Sequence, residues 1–166
     1  MMIEAARIAR GEVIEVGDVD LHDIDALVIP GGFGSAKNFT TWAFDGPSGN
    51  IQPEIKLLLV NMVNIGKPIA AICVSPVVLA KAFEDSDINL NLTLGSSAEG
   101  SPYDINGFHS GVESVGATTA EKTVREVLVD KENKIVTAPC YMMDATILDI
   151  RNNTKQAIEA LADLVG

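Results

Sequence analysis

Cys73 is the residue whose setting in this chain most suggests chemistry. A short apolar run, Ile69-Ala70-Ala71-Ile72, ends at it, and Ser75-Pro76-Val77-Val78-Leu79 opens a helical pattern behind it. A side chain at such a junction stands at the carboxyl edge of a sheet, over a helix N-terminus. The helix dipole and free backbone N–H groups there favour a thiolate. The chemistry open to it is nucleophilic addition, with neighbouring amides stabilising an oxyanion. Buried free cysteines are also common and inert, so a core role stands beside the reactive one.

The second feature is Gly31, Gly32 and Gly34, which follow the apolar run Ala26-Leu27-Val28-Ile29. Such glycines make a turn, or bring backbone N–H groups up to an anion or oxyanion. In Gly32-Phe33-Gly34-Ser35-Ala36-Lys37 a lysine stands where a dinucleotide fingerprint needs its last glycine, and the Gly-Lys-Ser/Thr end of a P-loop is absent. No G-x-S-x-G elbow occurs, which disfavours a serine hydrolase. The two histidines are His22 and His109. His22, among acidic residues, reads as surface. His109, between a flexible loop and a short helix, is a candidate base. Cys140, after Ala138-Pro139 at a strand end, reads as core or pocket wall rather than nucleophile.

The elements that position these residues alternate between strand and helix. Residues 26–29 and 69–72 read as buried parallel strands, apolar on both faces. Residues 31–38 read as a glycine-rich loop, with a looser stretch to residue 50. Pro53 at a first helical position, the spacing of Ile55, Leu58, Leu59, Met62 and Val63, and Gly66 with Pro68 predict a helix over 53–65. Residues 76–83 form the helix behind the cysteine. Residues 90–94 read as a short strand, 96–107 as a loop, and 110–115 as a short helix. Residues 127–130 and 134–137 are two strands, paired as a hairpin or as neighbours. Helices follow over 145–150 and 154–165, the second with Thr154 as its N-cap. The alternation predicts an α/β sheet with helices on both faces, and ligand sites then lie outside the carboxyl ends of the strands.

The chain has 166 residues, 47% of them hydrophobic, which suits a single domain over 1–166. Its formal net charge of −11 would be repelled by phosphate backbones and anionic membranes, so neither nucleic acid nor membrane is an expected partner. No apolar run approaches a membrane span, and the first residues do not read as a secretory signal. Two cysteines, without a CxxC pair, argue against a disulfide scaffold or a zinc site. No metal or cofactor is expected, and a reducing cytoplasm is the expected location.

The chain resembles the enhancing-lycopene-biosynthesis (isoprenoid biosynthesis, amidotransferase-like) family, a branch of the ThiJ/PfpI superfamily. The resemblance rests on Ile3-Glu4-Ala5-Ala6-Arg7-Ile8-Ala9-Arg10-Gly11-Glu12, on Ala26 through Pro30-Gly31-Gly32-Phe33-Gly34-Ser35-Ala36-Lys37-Asn38, and on Gly66-Lys67-Pro68-Ile69. It continues through Cys73-Val74-Ser75-Pro76 and Asp130-Lys131-Glu132-Asn133-Lys134-Ile135-Val136-Thr137-Ala138-Pro139. It implies a flavodoxin-like, mostly parallel α/β sheet, N-terminally shortened. It implies that Cys73 is the nucleophile-elbow cysteine, with the amides near Gly31, Gly32 and Val74 as the oxyanion site. Lys37, Asn38, Ser75 and Cys140 are the pocket candidates.

The activity it implies is a glyoxalase-like conversion of glyoxal or methylglyoxal to a hydroxy acid. The thiolate adds to the aldehyde, a base moves a proton between the two carbons, and water releases the product. The alternatives are a redox-responsive or partner-binding protein linked to isoprenoid metabolism, and a glutamine amidotransferase-like subunit. Family members begin with a strand, a Ser-Gly-Cys-Gly type loop, a helix and a second strand, a region that carries an acidic residue bonded to the nucleophile. This chain starts after that region, and Glu4 and Glu12 do not align with the acid. The missing part is then supplied by another chain, or the site is incomplete. The sheet edge left bare favours a homo-oligomer, expected to be a dimer. Gly95-Ser96-Ser97 stands where many superfamily members place a catalytic histidine, so no Cys-His-Glu triad is visible.

Overall fold

The computed structural model describes residues 2–165. In chain order, α1 (Met2–Ala9) leads through short 3-10 turns at Val16–Asp18 and Leu21–Asp23 to β1 (Leu27–Ile29), α2 (Phe33–Asn38) and α3 (Trp42–Asp45). A 3-10 turn at Gly46–Ser48 precedes α4 (Pro53–Asn64), β2 (Ile69–Ile72), α5 (Pro76–Phe83) and β3 (Asn91–Leu92). Then come α6 (Ile105–Ser114), β4 (Thr118–Thr119), β5 (Leu128–Asp130), β6 (Ile135–Ala138), a 3-10 turn at Cys140–Met142, and α7 (Ile147–Val165).

The main sheet has the order β1-β2-β6-β5. The first three strands run parallel and β5 returns antiparallel to β6. Strands β3 and β4 form a separate parallel pair. The result is a mostly parallel, flavodoxin-like α/β sheet clothed by helices. β2 and β6 read Ile-Ala-Ala-Ile and Ile-Val-Thr-Ala and are buried along their whole length, as central parallel strands must be when helices cover both faces. Every residue of α5 is also buried, including Lys81, whose Nζ donates to the Pro47 carbonyl at 2.9 Å and pairs with Glu84. A lysine survives there because it is hydrogen-bonded and paired.

The register matters most for function. Ile72 lies opposite Ala138, so β2 and β6 end level, and the residues that follow them emerge side by side at one edge. β1 pairs with β2 through Leu27 opposite Ile69. Among the described residues its other edge carries no strand, and Val28 is 39% exposed. An apolar groove bordered by Val16, Leu27, Phe39, Ile55 and Leu58 runs beside it. The expectation that this strand is buried on both faces is therefore corrected: it is an edge strand.

Three local readings also change, and one open choice, between hairpin and neighbouring strands, is decided. Residues 33–38, expected as loop, are the helix α2. Its Ser35 and Ala36 face inward, and Ser35 Oγ donates to the Gly32 carbonyl at 2.8 Å, closing the first turn. The helix over 110–115 begins earlier, at Ile105, because Asp104 accepts a hydrogen bond from the Gly107 amide at 2.9 Å and caps it. The strands around residues 128–138 form an antiparallel hairpin. The two C-terminal helices are one, α7, so Thr154 is internal to it and not its cap.

Candidate active site at the ends of β2 and β6

Cys73 follows β2 directly and adopts a left-handed conformation, φ +63. A non-glycine residue is strained there by about 1–2 kcal/mol, and the surrounding turn holds it. The Cys73 N–H donates to the Ala138 carbonyl at 2.8 Å, continuing the β2–β6 ladder, and the Ser75 N–H folds back onto the Ile72 carbonyl at 3.1 Å. Gly31, at φ +96, presses against this turn so closely that a Cβ there would meet the Ile72 carbonyl oxygen at 2.6 Å and the Cys73 Cβ at 2.8 Å. Only glycine fits that approach. The amides of Gly32 and Val74 donate no hydrogen bond within the described residues, which leaves them free for an incoming oxygen.

Cys73 is half-buried and opens on a cavity of about 250 Å3. Pro30, Gly32, Phe33, Ile72, Tyr103 and Ile150 form much of its wall, and Phe33 and Tyr103 pack at 5.4 Å between ring centroids. Cys140, Tyr141 and Thr154 complete the lining. Of the four pocket candidates, Cys140 alone lines this cavity. Lys37 and Asn38 lie one turn along α2 on its solvent face. The Lys37 ammonium sits 6.0 Å from the Phe44 ring centre, and Asn38 Nδ2 donates to the Gly34 carbonyl at 2.8 Å. Ser75 is buried, with its hydroxyl 3.1 Å from that of Ser35. It ties the start of α5 to the start of α2 and so steadies the Gly32 turn without reaching the cavity.

Cys140 also has a left-handed backbone, φ +44. Its N–H donates to the Asn153 side-chain oxygen at 3.0 Å, and its Sγ lies 3.5 Å from Thr154 Oγ1. Burial pushes its thiol upward from the ordinary value; the Thr154 hydroxyl works against that shift and the nearby Cys73 charge adds to it. Tyr103, Tyr141, Phe33, Ile150 and Thr154 were not foreseen as pocket residues. Tyr141 adjoins Cys140 in sequence, which was a usable signal; Tyr103 sits in a loop of Gly, Ser and Pro that carried none.

Neither histidine reaches the cavity. His22 is exposed. His109 is buried in α6, where its Nε2 accepts a long hydrogen bond, 3.4 Å, from the Leu94 N–H. Of the two readings open to His109, that placement favours the structural one over a base at this cavity. The Ser96 and Ser97 hydroxyls both donate to Glu121, so the segment that stands in a histidine's place uses its polar groups structurally. These hydrogen bonds hold the Glu121 carboxyl below its usual range. Among the described residues no cluster of His, Cys, Asp and Glu could hold a metal ion, and no helix is long and apolar enough to cross a membrane.

The burial of His109 has a testable consequence. It lowers the imidazole from its ordinary value of 6.5, with Glu121 and Glu113 acting in the opposite sense. Below that value the unfolded chain takes a proton that the folded chain resists. Stability present above about pH 6.5 is thus lost as the pH falls through the lower, folded value. Urea midpoints measured at about pH 7.5 and about pH 5.5 are expected to differ less in His109→Gln than in the parent. An identical pH dependence in both would remove His109 as its source.

A mostly parallel α/β sheet with a cysteine on a strained strand-to-helix turn is an amidotransferase-like architecture. Homologues of the chain are named glutamine amidotransferase-like class 1 domain-containing and ES1 proteins. It is 32% identical over its whole length to human "glutamine amidotransferase-like class 1 domain-containing protein 3, mitochondrial" and covers 61% of that protein. The match to the rat "ES1 protein homolog, mitochondrial" has the same identity, 32%, and the same coverage, 61%. The zebrafish "ES1 protein, mitochondrial" is 24% identical over 87% of the chain and is 55% covered. The chain therefore spans about three fifths of the length of the first two relatives.

Among solved structures, the Ehrlichia chaffeensis isoprenoid biosynthesis protein with an amidotransferase-like domain superposes with a TM-score of 0.84 at 27% identity, covering 99% of this chain and 70% of that one. Drosophila DJ-1beta, at a TM-score of 0.50 and 19% identity, covering 90% of this chain and 63% of its own, shares the fold. No protein-family model matches the chain. The expected cytoplasmic location is corrected, because the human, rat and zebrafish relatives are all named as mitochondrial. A low cysteine count speaks for reducing surroundings and does not say which compartment supplies them.

Proposed function

We propose that the chain is a cofactor-free, cysteine-dependent, glyoxalase-like protein acting on small dicarbonyls such as glyoxal and methylglyoxal. The observation that carries the reading is Cys73, held at φ +63 at the end of β2 and opening on a small, largely apolar cavity. The Cys73 sulfur attacks the aldehyde carbon and forms a C–S bond, and the carbonyl electron pair moves to oxygen. The unused amides of Gly32 and Val74 stabilise the charge that develops there. The oxyanion takes up the proton lost from the thiol, giving a hemithioacetal. The C–H proton of that carbon then moves to the adjacent carbonyl carbon, whose oxygen becomes the hydroxyl while the hemithioacetal carbon becomes the thioester carbonyl. Water cleaves the thioester to the hydroxy acid and regenerates the thiol.

The proton step is the slow one in this reading. Among the described residues no carboxylate or imidazole lines the cavity; its proton carriers are the hydroxyls of Tyr103, Tyr141 and Thr154 and the thiol of Cys140. A well-placed general base contributes on the order of 100-fold or more. The expected result is therefore a rapid, stoichiometric hemithioacetal on Cys73 followed by slow release of hydroxy acid. Mass spectrometry after borohydride-free quenching reads the adduct, and a chiral assay for the hydroxy acid reads turnover. Cys73→Ser is expected to lose both, with turnover reduced on the order of 100-fold or more. Equal turnover in the parent and Cys73→Ser would overturn the proposal.

A further inference from the structure

The cavity holds two thiols, and the proposed carbonyl chemistry uses one of them. We infer that Cys140 is the resolving partner of Cys73, closing an intramolecular disulfide across the ends of β2 and β6 when a hydroperoxide oxidises Cys73. This deepens the reading above as the regulation of the same site, and it rests on Cys73 being the reactive thiol.

The sheet register brings the two residues together. Ile72 pairs with Ala138, the Cys73 N–H bonds the Ala138 carbonyl at 2.8 Å, and Cys140 follows two positions later. In that register Cys73 faces Pro139 and Cys140 stands one position further on. Strands about 4.8 Å apart with a rise of about 3.3 Å per residue put that diagonal at about 6 Å, within the Cα separation of about 4.4–6.8 Å that a disulfide spans. Both side chains line one cavity. Both also sit on left-handed backbone, a conformation shared by only Arg10 and Lys134 among the other described non-glycine residues. Left-handed geometry at a strand end swings a side chain out of the pleat, and here it does so twice over one opening.

The two thiols differ in access. Cys73 is half-buried at the mouth, where a small hydroperoxide arrives first. Cys140 is 2% exposed and held against Thr154, so it is shielded from direct oxidation but adjacent to the product. The Cys73 thiolate attacks one hydroperoxide oxygen: an S–O bond forms, the O–O bond breaks, and the leaving oxygen takes a proton as alcohol or water. The Cys140 sulfur then attacks the sulfenic sulfur. The S–S bond forms, the S–O bond breaks, and the departing hydroxide leaves as water with the Cys140 proton. The two thiols together lose two electrons and two protons, and the hydroperoxide is reduced to an alcohol and water. The disulfide removes the nucleophile reversibly and spares Cys73 from over-oxidation to sulfinic acid.

The test treats the reduced protein with one equivalent of hydrogen peroxide, blocks free thiols with iodoacetamide, and maps the unreduced peptides. The expected product has Cys73 joined to Cys140 within one chain, with no disulfide between chains. In Cys140→Ala, Cys73 is expected to accumulate as a dimedone-reactive sulfenic acid and then as sulfinic acid, several-fold faster than in the parent. A parent protein that passes directly to Cys73 sulfinic acid, with no internal disulfide, would overturn the inference without any variant. If Cys73 resists both peroxide and alkylation, this inference and the proposed function fall together. If the disulfide forms while dicarbonyl turnover is absent, only the proposed function falls.

Discussion

Replacing Gly31 with alanine is expected to destabilise the fold by about 3 kcal/mol and to disorder the Cys73 turn. Two costs combine. At φ +96 a side chain of any kind is strained, by about 1–2 kcal/mol. The new Cβ would also sit 2.6 Å from the Ile72 carbonyl oxygen and 2.8 Å from the Cys73 Cβ. Both neighbours are parts of the sheet and its turn, so no flexible side-chain end can yield. The Ile72 carbonyl also accepts the Ser75 N–H that closes the turn, and pushing it aside opens the loop that aims Cys73. Gly32→Ala is the matched comparison. It has φ +74 but would meet nothing within 4 Å, so it bears only the conformational cost of about 1–2 kcal/mol. Urea unfolding separates the two variants, and the iodoacetamide rate at Cys73 reports the turn. Equal stability of the two would show that close packing against β2 is not what demands glycine at 31.

What the sequence revealed and what it hid divide along a physical line. β2, α4 and α5 were legible because their signals are local. A central parallel strand is an unbroken apolar run, Pro53 and Pro76 suit a first helical turn, and Gly66 ends α4 at φ +72. α2 was not legible, since Gly32-Phe33-Gly34-Ser35 carries low helix propensity. It is helical because Ser35 closes its first turn and meets Ser75, forty positions away in the chain. α7 looked broken for a related reason. Arg151-Asn152-Asn153-Thr154 favours a boundary by composition, yet Asn153 and Thr154 find partners outside the helix that make its continuation favourable.

The candidate site divides the same way. Cys73 and the Gly31-Gly32 turn follow directly from strand ends and could be placed from the sequence. That Cys140 shares their cavity depends on which residue of β2 faces which residue of β6, a long-range register that no local pattern encodes. Lys37 and Asn38 belong to the same quoted motif as Gly32, but a helix turns its side chains through the full circle, and these two face solvent.

Asn153 is where that long-range logic has its largest expected cost. It has no exposed surface, accepts the Cys140 N–H on its side-chain oxygen at 3.0 Å, and donates from Nδ2 to the Glu126 carbonyl at 2.8 Å. One amide thus fastens three chain segments: α7, the turn after β6, and the approach to β5. Asn153→Leu matches its volume closely but strands a buried N–H and a partly buried carbonyl. At about 1–3 kcal/mol for each unsatisfied group, the expected loss is about 2–6 kcal/mol. The loss of that anchor also frees Cys140 from its φ of +44, so disulfide closure with Cys73 should slow even where the variant stays folded. Asn153→Asp distinguishes hydrogen bonding from packing. Its carboxyl still accepts from Cys140, and when protonated it donates to Glu126; when ionised it places a buried charge against a carbonyl. Burial raises the folded carboxyl above its unfolded value, so the variant's stability should be greatest at low pH and fall as the pH rises through the folded value. Urea midpoints across pH, taken relative to the parent, read this out. If Asn153→Asp and the parent show parallel profiles, or Asn153→Leu unfolds at the parent's midpoint, the amide is not the fastener that its contacts indicate.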